Sequence, residues 1–293
     1  MSSDAPIGVF DSGVGGLTVL RELTAALPAQ KFIYLGDTAR LPYGTKSADT
    51  VSRYSLQCAE ALLARGIAGL VVACNTASAS ALGSLRARHP QLPVVGVIEP
   101  GAAAAVAASR SQHIAVIATE GTIRGGAYQT EILRRNPAAR ISVRACSMFV
   151  ALAEEGWTCG PVAEAVAHRY LDPLFASADA PDTLVLGCTH FPILAAAIRS
   201  VLPPHVRIVD SAATTAQAVA AGLARPPAAT LDCGPGDPLH SGSLHGSGSR
   251  AGRIRWLATD DAERFARVGG RFFGAELSAD AVEIIDLQQV LVG

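Results

Sequence analysis

Apolar residues come in two rhythms along this chain. Ile7-Gly8-Val9-Phe10-Asp11 is a short, evenly apolar run that ends on a carboxylate, and Leu17 to Leu27 then carries apolar residues at helical spacing until Pro28. Runs of the first kind read as strands covered on both faces, because a half-exposed strand would alternate with polar residues. The two rhythms repeat along the chain. Strands are expected at 31–37, in the runs before Cys74 and Cys188, and at 94–99, 113–119, 141–146, 206–210 and 253–259. Helices are expected at 48–65, 77–89, 101–110, 122–135, 148–155, 160–176, 191–202, 211–225 and 260–273. Such alternation predicts an α/β fold of mainly parallel sheets flanked by helices. Residues 38–44, with Pro42 and Gly44, read as a loop. Residues 226–252, rich in Pro, Gly, Ser and His, break the rhythm and read as a surface loop. His240 and His245 in it lack partner ligands, which favours a solvated loop over a metal site.

Two strands end alike. Leu70-Val71-Val72-Ala73 runs into Cys74-Asn75-Thr76, and Thr183-Leu184-Val185-Leu186-Gly187 runs into Cys188-Thr189-His190. Ligands bind beyond the carboxyl ends of parallel strands, so each thiol is delivered to the place where a site forms. Cys74 alone reads as a buried structural cysteine. Its repetition at Cys188 favours chemistry instead, with two similar lobes presenting thiols to two faces of one substrate. A free thiol with a pKa of about 8.5 is only a few per cent thiolate at neutral pH. The helix N-termini after both cysteines, and a cationic His190, are expected to lower that value. His190 suits the task of holding or accepting the proton of Cys188. Asn75, Thr76 and Thr189 offer short donors and acceptors for an amino acid's carboxylate and ammonium; as a plainer reading they cap helices.

Asp11-Ser12-Gly13-Val14-Gly15-Gly16 invites comparison with a dinucleotide fingerprint, but G-x-G-x-x-G requires glycine where Thr18 stands. An aspartate at the strand end would also face a pyrophosphate. The alternative is a tight turn whose backbone N–H groups accept a small carboxylate. Asp11 would then meet the substrate's ammonium or orient a catalytic group, unless it simply caps the helix.

Composition narrows the classes further. The 24 basic and 25 acidic residues nearly cancel and form no basic stripe, so no nucleic-acid partner is expected. No run of 18 apolar residues and no cationic, apolar leader occurs, which predicts neither a membrane span nor a secretory signal but a cytoplasmic protein with reduced thiols. The six cysteines show no C-x-x-C spacing, so no metal is expected. Cys58, Cys146, Cys159 and Cys233 lack the strand-end setting and are assigned to packing or surface.

Taken in order, Asp11-Ser12-Gly13-Val14-Gly15-Gly16-Leu17-Thr18, Gly36-Asp37-Thr38-Ala39-Arg40-Leu41-Pro42-Tyr43-Gly44, Ala73-Cys74-Asn75-Thr76-Ala77 and Leu186-Gly187-Cys188-Thr189-His190-Phe191-Pro192 resemble the motifs of the glutamate racemases, members of the cofactor-independent aspartate/glutamate racemase family. Asp210-Ser211 resembles that family's late Asp-Ser turn. The likeness runs from about residue 7 to 275 and is weakest over 226–252. It implies interconversion of L- and D-glutamate without a cofactor, with D-glutamate feeding peptidoglycan. It also implies two pseudo-symmetric α/β domains with the active site in the cleft between them, divided here as 1–98 plus 208–293 and 99–207. By the family's pattern Cys74 and Cys188 are the acid/base thiols, assisted by Asp11 and His190 respectively. Asp11, Ser12, Pro42, Tyr43, Gly44, Asn75, Thr76, Thr189 and His190 contact substrate. An acidic residue belongs in Phe149 to Glu155, and Glu154 is chosen over Glu155. A homodimer is compatible with the resemblance. Some members respond to a cell-wall precursor through an extended N-terminus; with about six residues before the first strand, no such activation is expected here.

Inversion at the α-carbon needs a proton removed from one face and returned to the other, so one thiolate acts as base while the opposed thiol acts as acid. A pyridoxal enzyme would instead delocalise the charge through a Schiff base on lysine. Lys31 lies at the wrong end of its strand and Lys46 has no supporting motif, so that chemistry is not expected. Two rivals remain: a related racemase acting on aspartate or a hydantoin, and a non-catalytic amino-acid binder, which would need neither thiol.

Overall fold

The computed structural model describes residues 5–223 and 253–287. The 226–252 segment, with Cys233, His240 and His245, lies outside the described residues. Ten strands are described: β1 (Ile7–Asp11), β2 (Phe32–Gly36), β3 (Gly69–Val72), β4 (Val94–Gly96), β5 (His113–Ala118), β6 (Arg140–Ala145), β7 (Thr183–Gly187), β8 (Arg207–Asp210), β9 (Ile254–Ala258) and β10 (Val282–Ile284). The helices are α1 (Leu17–Ala26), α2 (Ala48–Leu63), α3 (Asn75–Arg88), α4 (Ile98–Ala108), α5 (Glu120–Gly125), α6 (Ala127–Arg135), α7 (Met148–Glu155), α8 (Pro161–Phe175), α9 (Ala195–Val201), α10 (Ser211–Leu223) and α11 (Ala262–Phe273).

The strands form two sheets, one ordered β10-β9-β2-β1-β3-β4 and the other β6-β5-β7-β8. Every pairing among the described residues is parallel. Within the larger sheet, β2-β1-β3-β4 repeats the order of β6-β5-β7-β8, so the two lobes share a four-strand plan and the first adds β9 and β10 at one edge. All five residues of β1, β2 and β7 are buried, as the continuous apolar runs require of strands covered on both faces. The expected α/β class and pseudo-symmetry are therefore present.

This strand order places the site. In each lobe the chain goes from its first strand to one side and later returns to the other, leaving a crevice at the carboxyl ends of β1 and β3, and of β5 and β7. Asp11 and Cys74 end the first pair; Thr119 and Cys188 end the second.

Several boundaries differ from the periodicity. The strand expected at 94–99 stops at Gly96, because Ile98 and Glu99 already belong to α4. The helix expected at 122–135 is two helices, divided at Gly126, whose φ of +67° is the left-handed conformation that favours glycine. Phe191–Leu194 is a 3-10 turn before α9. β10 was not expected at all: three residues are too short to show a period, and parallel pairing with β9 supplies the signal.

Candidate active site

Cys74 is the residue before α3 begins, and its sulfur accepts a hydrogen bond from the Ala77 N–H at 3.5 Å, as a serine cap would. The thiol also contacts the Ser12 hydroxyl at 3.7 Å. Contrary to expectation, this helix N-terminus does not leave Cys74 acidic. Burial, reinforced by the charge of Asp11, pushes the thiol up to about 12 and outweighs the lowering by Ala77 and Ser12.

Asp11 is fully buried, and burial raises its carboxyl above the usual range. One oxygen accepts the Gly13 N–H at 2.9 Å, so an N–H expected to receive a ligand is already engaged. The other faces the Thr189 hydroxyl at 3.5 Å, from the opposite lobe. No hydrogen bond joins Asp11 to Cys74; the carboxylate acts on the thiol through charge. The glycine turn is built for contact between lobes. A methyl group on Gly15 would lie 2.4 Å from His190 Nδ1 and 2.5 Å from Thr189 Oγ1, and one on Gly16 would lie 2.5 Å from Asp11 Cβ. Thr18 completes the junction by donating to the Thr189 carbonyl at 3.1 Å.

Around Cys188 the partners differ. Its sulfur is 3.8 Å from His190 Nδ1, and His190 Nε2 is 3.2 Å from Glu154 Oε1. Burial opposes charge on this imidazole, but its bonds to Cys188 and Glu154 and the charges of Cys188 and Asp11 prevail and raise it to about 10. The protonated ring thus holds a positive charge beside Cys188 with both N–H groups satisfied. Glu154 is itself lowered despite burial by His190 and Arg264. Glu155, by contrast, is exposed.

A third group lies where the lobes meet. The Thr76 hydroxyl is 3.0 Å from that of Thr119 and 3.1 Å from that of Thr122, and Thr119 and Thr122 are 3.1 Å apart. Neither Thr119 nor Thr122 was anticipated; the only signal for them is their place just after β5, the counterpart of the turn that follows β1. Asn75 accepts the Tyr128 hydroxyl at 2.8 Å, while its buried amide Nδ2 has no hydrogen-bond partner. An unpaired buried donor is costly unless a ligand satisfies it.

The Pro42-Tyr43-Gly44 loop follows a cis Leu41–Pro42 bond. Gly44 packs against Thr119, where a methyl group would approach to 2.7 Å. Pro42 is exposed, and the hydroxyl of the buried Tyr43 meets Asp37 and the thiol of Cys58 rather than Cys74 or Cys188. Cys58 and Cys146 are buried and Cys159 is exposed. Among the described residues no group of three His, Cys, Asp or Glu is arranged to hold a metal ion, and no helix is long and apolar enough to cross a membrane.

Comparison with known proteins agrees with this geometry. Residues 7–219 match the family model described as Asp/Glu/Hydantoin racemase. A glutamate racemase of Geobacter metallireducens is 49% identical over 271 residues, covering 92% of this chain and 93% of its own. The crystal structure of glutamate racemase from Francisella tularensis in complex with D-glutamate superposes with a TM-score of 0.82 at 32% identity, over 98% of this chain and 99% of that one. The Thermus thermophilus enzyme in complex with beta-chloro-D-alanine gives 0.78 at 39% identity, over 99% and 100%. The chain belongs to the Asp/Glu/hydantoin racemase family and, within it, to the glutamate racemases, which are isomerases.

Proposed function

We propose that this chain interconverts L- and D-glutamate by a two-thiol mechanism without a cofactor. The carrying observation is that Cys74 and Cys188 follow topologically equivalent strands, each with its own polar partner, Ser12 and His190 respectively, and that the Thr189 hydroxyl facing Asp11 at 3.5 Å joins the two lobes. In one direction Cys188, beside cationic His190, takes the α-proton as thiolate, and Cys74 gives its thiol proton to the opposite face. The reverse reaction exchanges the roles. The α-hydrogen is very weakly acidic, so fixed donors and exclusion of water must stabilise the carbanion-like state. Ser12, Asn75, Thr76 and Thr189 supply donors for the substrate's polar groups, and Asp11 meets its ammonium; the orphaned amide of Asn75 suits a carboxylate oxygen. The D-glutamate complex of the Francisella relative supports glutamate over aspartate as substrate. The same reading gives the chain a role in supplying D-glutamate for peptidoglycan in the cytoplasm, supported by its resemblance to the glutamate racemases.

The test uses purified protein, D-glutamate and deuterium oxide, with no added cofactor. Loss of the α-proton signal together with loss of optical rotation is expected. Exchange with aspartate but not glutamate would redirect the assignment, and silence with both would leave a binding protein. Cys74→Ser and Cys188→Ser should each lower racemisation by about 10²–10⁴-fold while keeping the native circular dichroism spectrum. Full activity in either variant would refute the two-thiol mechanism.

A further inference from the structure

Helix α11 belongs to the first lobe: the Phe265 ring packs at a tilt against Tyr34 and Trp256 of that lobe's sheet. One face of the same helix reaches across to the His190–Glu154 pair of the second lobe. Arg264 Nη2 lies 2.8 Å from Glu154 Oε2, leaving Oε1 for His190. About two turns on, Arg271 Nη1 donates to the Glu154 carbonyl at 3.1 Å and the Phe272 ring meets the His190 ring edge-on, with centroids 5.1 Å apart. Gly156 makes the approach of Arg271 achievable. Its φ of +80° ends α7, and a methyl group there would lie 2.6 Å from the Arg271 guanidinium.

A carboxylate on the last turn of a helix has free rotamers, and two different partners on its two oxygens leave one orientation. We propose that Arg264 is a positioning residue for the racemisation: from the opposite lobe it fixes the Glu154 carboxylate so that its other oxygen holds the His190 imidazole against Cys188. This inference rests on the proposed two-thiol reaction. Arg264 touches neither thiol, and it acts through Glu154. Its side chain is 44% exposed, so orientation rather than raw charge is what it supplies. The ionisable groups facing His190 are Cys188, Glu154 and Asp11; Arg264 is one step removed.

A double-mutant cycle tests this reading. Arg264→Ala should lower kcat/KM about 10-fold in the native background, as small displacements of acid/base groups do. In a Glu154→Gln background the same change should cost less than about 2-fold, because the group it orients is already altered. Arg264→Lys should restore most of the loss, and thermal midpoints report whether each variant is folded. Equal losses in both backgrounds, or no loss in the first, overturn the proposal. A readout independent of turnover is the imidazole ¹⁵N titration of His190, assigned with His190→Asn. It should move to lower pH in Arg264→Ala, as the imidazolium loses its oriented carboxylate; an unchanged or raised titration overturns the positioning role. If the wild-type protein fails to racemise glutamate, the two-thiol reading fails, while this titration still decides whether Arg264 sets the pair.

Discussion

Replacing Gly15 by alanine probes the contact between the glycine turn and the Cys188-Thr189-His190 turn. Gly15 does not occupy the left-handed region, so alanine's backbone preferences are not the obstacle. The obstacle is space. The new methyl carbon would lie 2.4 Å from His190 Nδ1, about 1 Å inside the near edge of ordinary contact at 3.4 Å. The second and third nearest atoms, His190 Cε1 and Thr189 Oγ1, are both at 2.5 Å and buried, so no flexible side-chain end can swing aside. Either the lobes separate by about an ångström or the imidazole leaves its place between Cys188 and Glu154. A misplacement of that size costs about 10²-fold in rate. Overpacking of this kind destabilises by about 1–3 kcal/mol, and a chain of this size loses about 2–4 °C of Tm per kcal/mol. The assay is racemisation followed by circular dichroism, with thermal unfolding in parallel. Gly13→Ala is the control: its methyl group meets only the Leu41 side chain, whose Cδ2 is nearest at 3.2 Å, and it should lose far less activity. Wild-type activity in Gly15→Ala, with an unchanged Tm, would refute the claim that this turn sets the distance between the lobes.

The His190 imidazolium should also register in stability. Its folded value, about 10, is raised above the unfolded 6.5, so the stabilisation is complete below pH 6.5 and is lost as pH rises through about 10. Urea titrations of the wild type and His190→Asn should show the difference between them shrinking over that window; a difference that widens would contradict the assignment of charge. Gly83, exposed within α3 with nothing within 4 Å of an added methyl group, offers the opposite outcome. Gly83→Ala should gain about 0.5–1 kcal/mol by limiting the unfolded chain, with racemisation unchanged. A lower Tm would show that the exposed face of α3 makes contacts beyond those described.

Much of this protein is written locally. Short apolar runs and helical periods specify an α/β chain, since the pattern of burial along each element is a property of consecutive residues. The repeated strand-to-cysteine turns mark the two thiols, and the four motifs at 11–18, 36–44, 73–77 and 186–192, taken in order, carry the family resemblance. The choice of Glu154 rests on that resemblance; its contact with His190 and the exposure of Glu155 are properties of the packed chain. The tertiary structure decided what depends on distance across the two lobes. Thr119 and Thr122 meet Thr76 only because the lobes face each other at their switch points, and hydroxyls after a strand carry no period that would announce it. Arg264 reaches Glu154 across 110 residues of sequence. The sign of the Cys74 shift was likewise out of reach, because a helix N-terminus is visible in sequence while burial beside a charged Asp11 is not. Local patterning names the elements and the reactive groups; the electrostatics of the site arise from burial, which belongs to the packed chain as a whole.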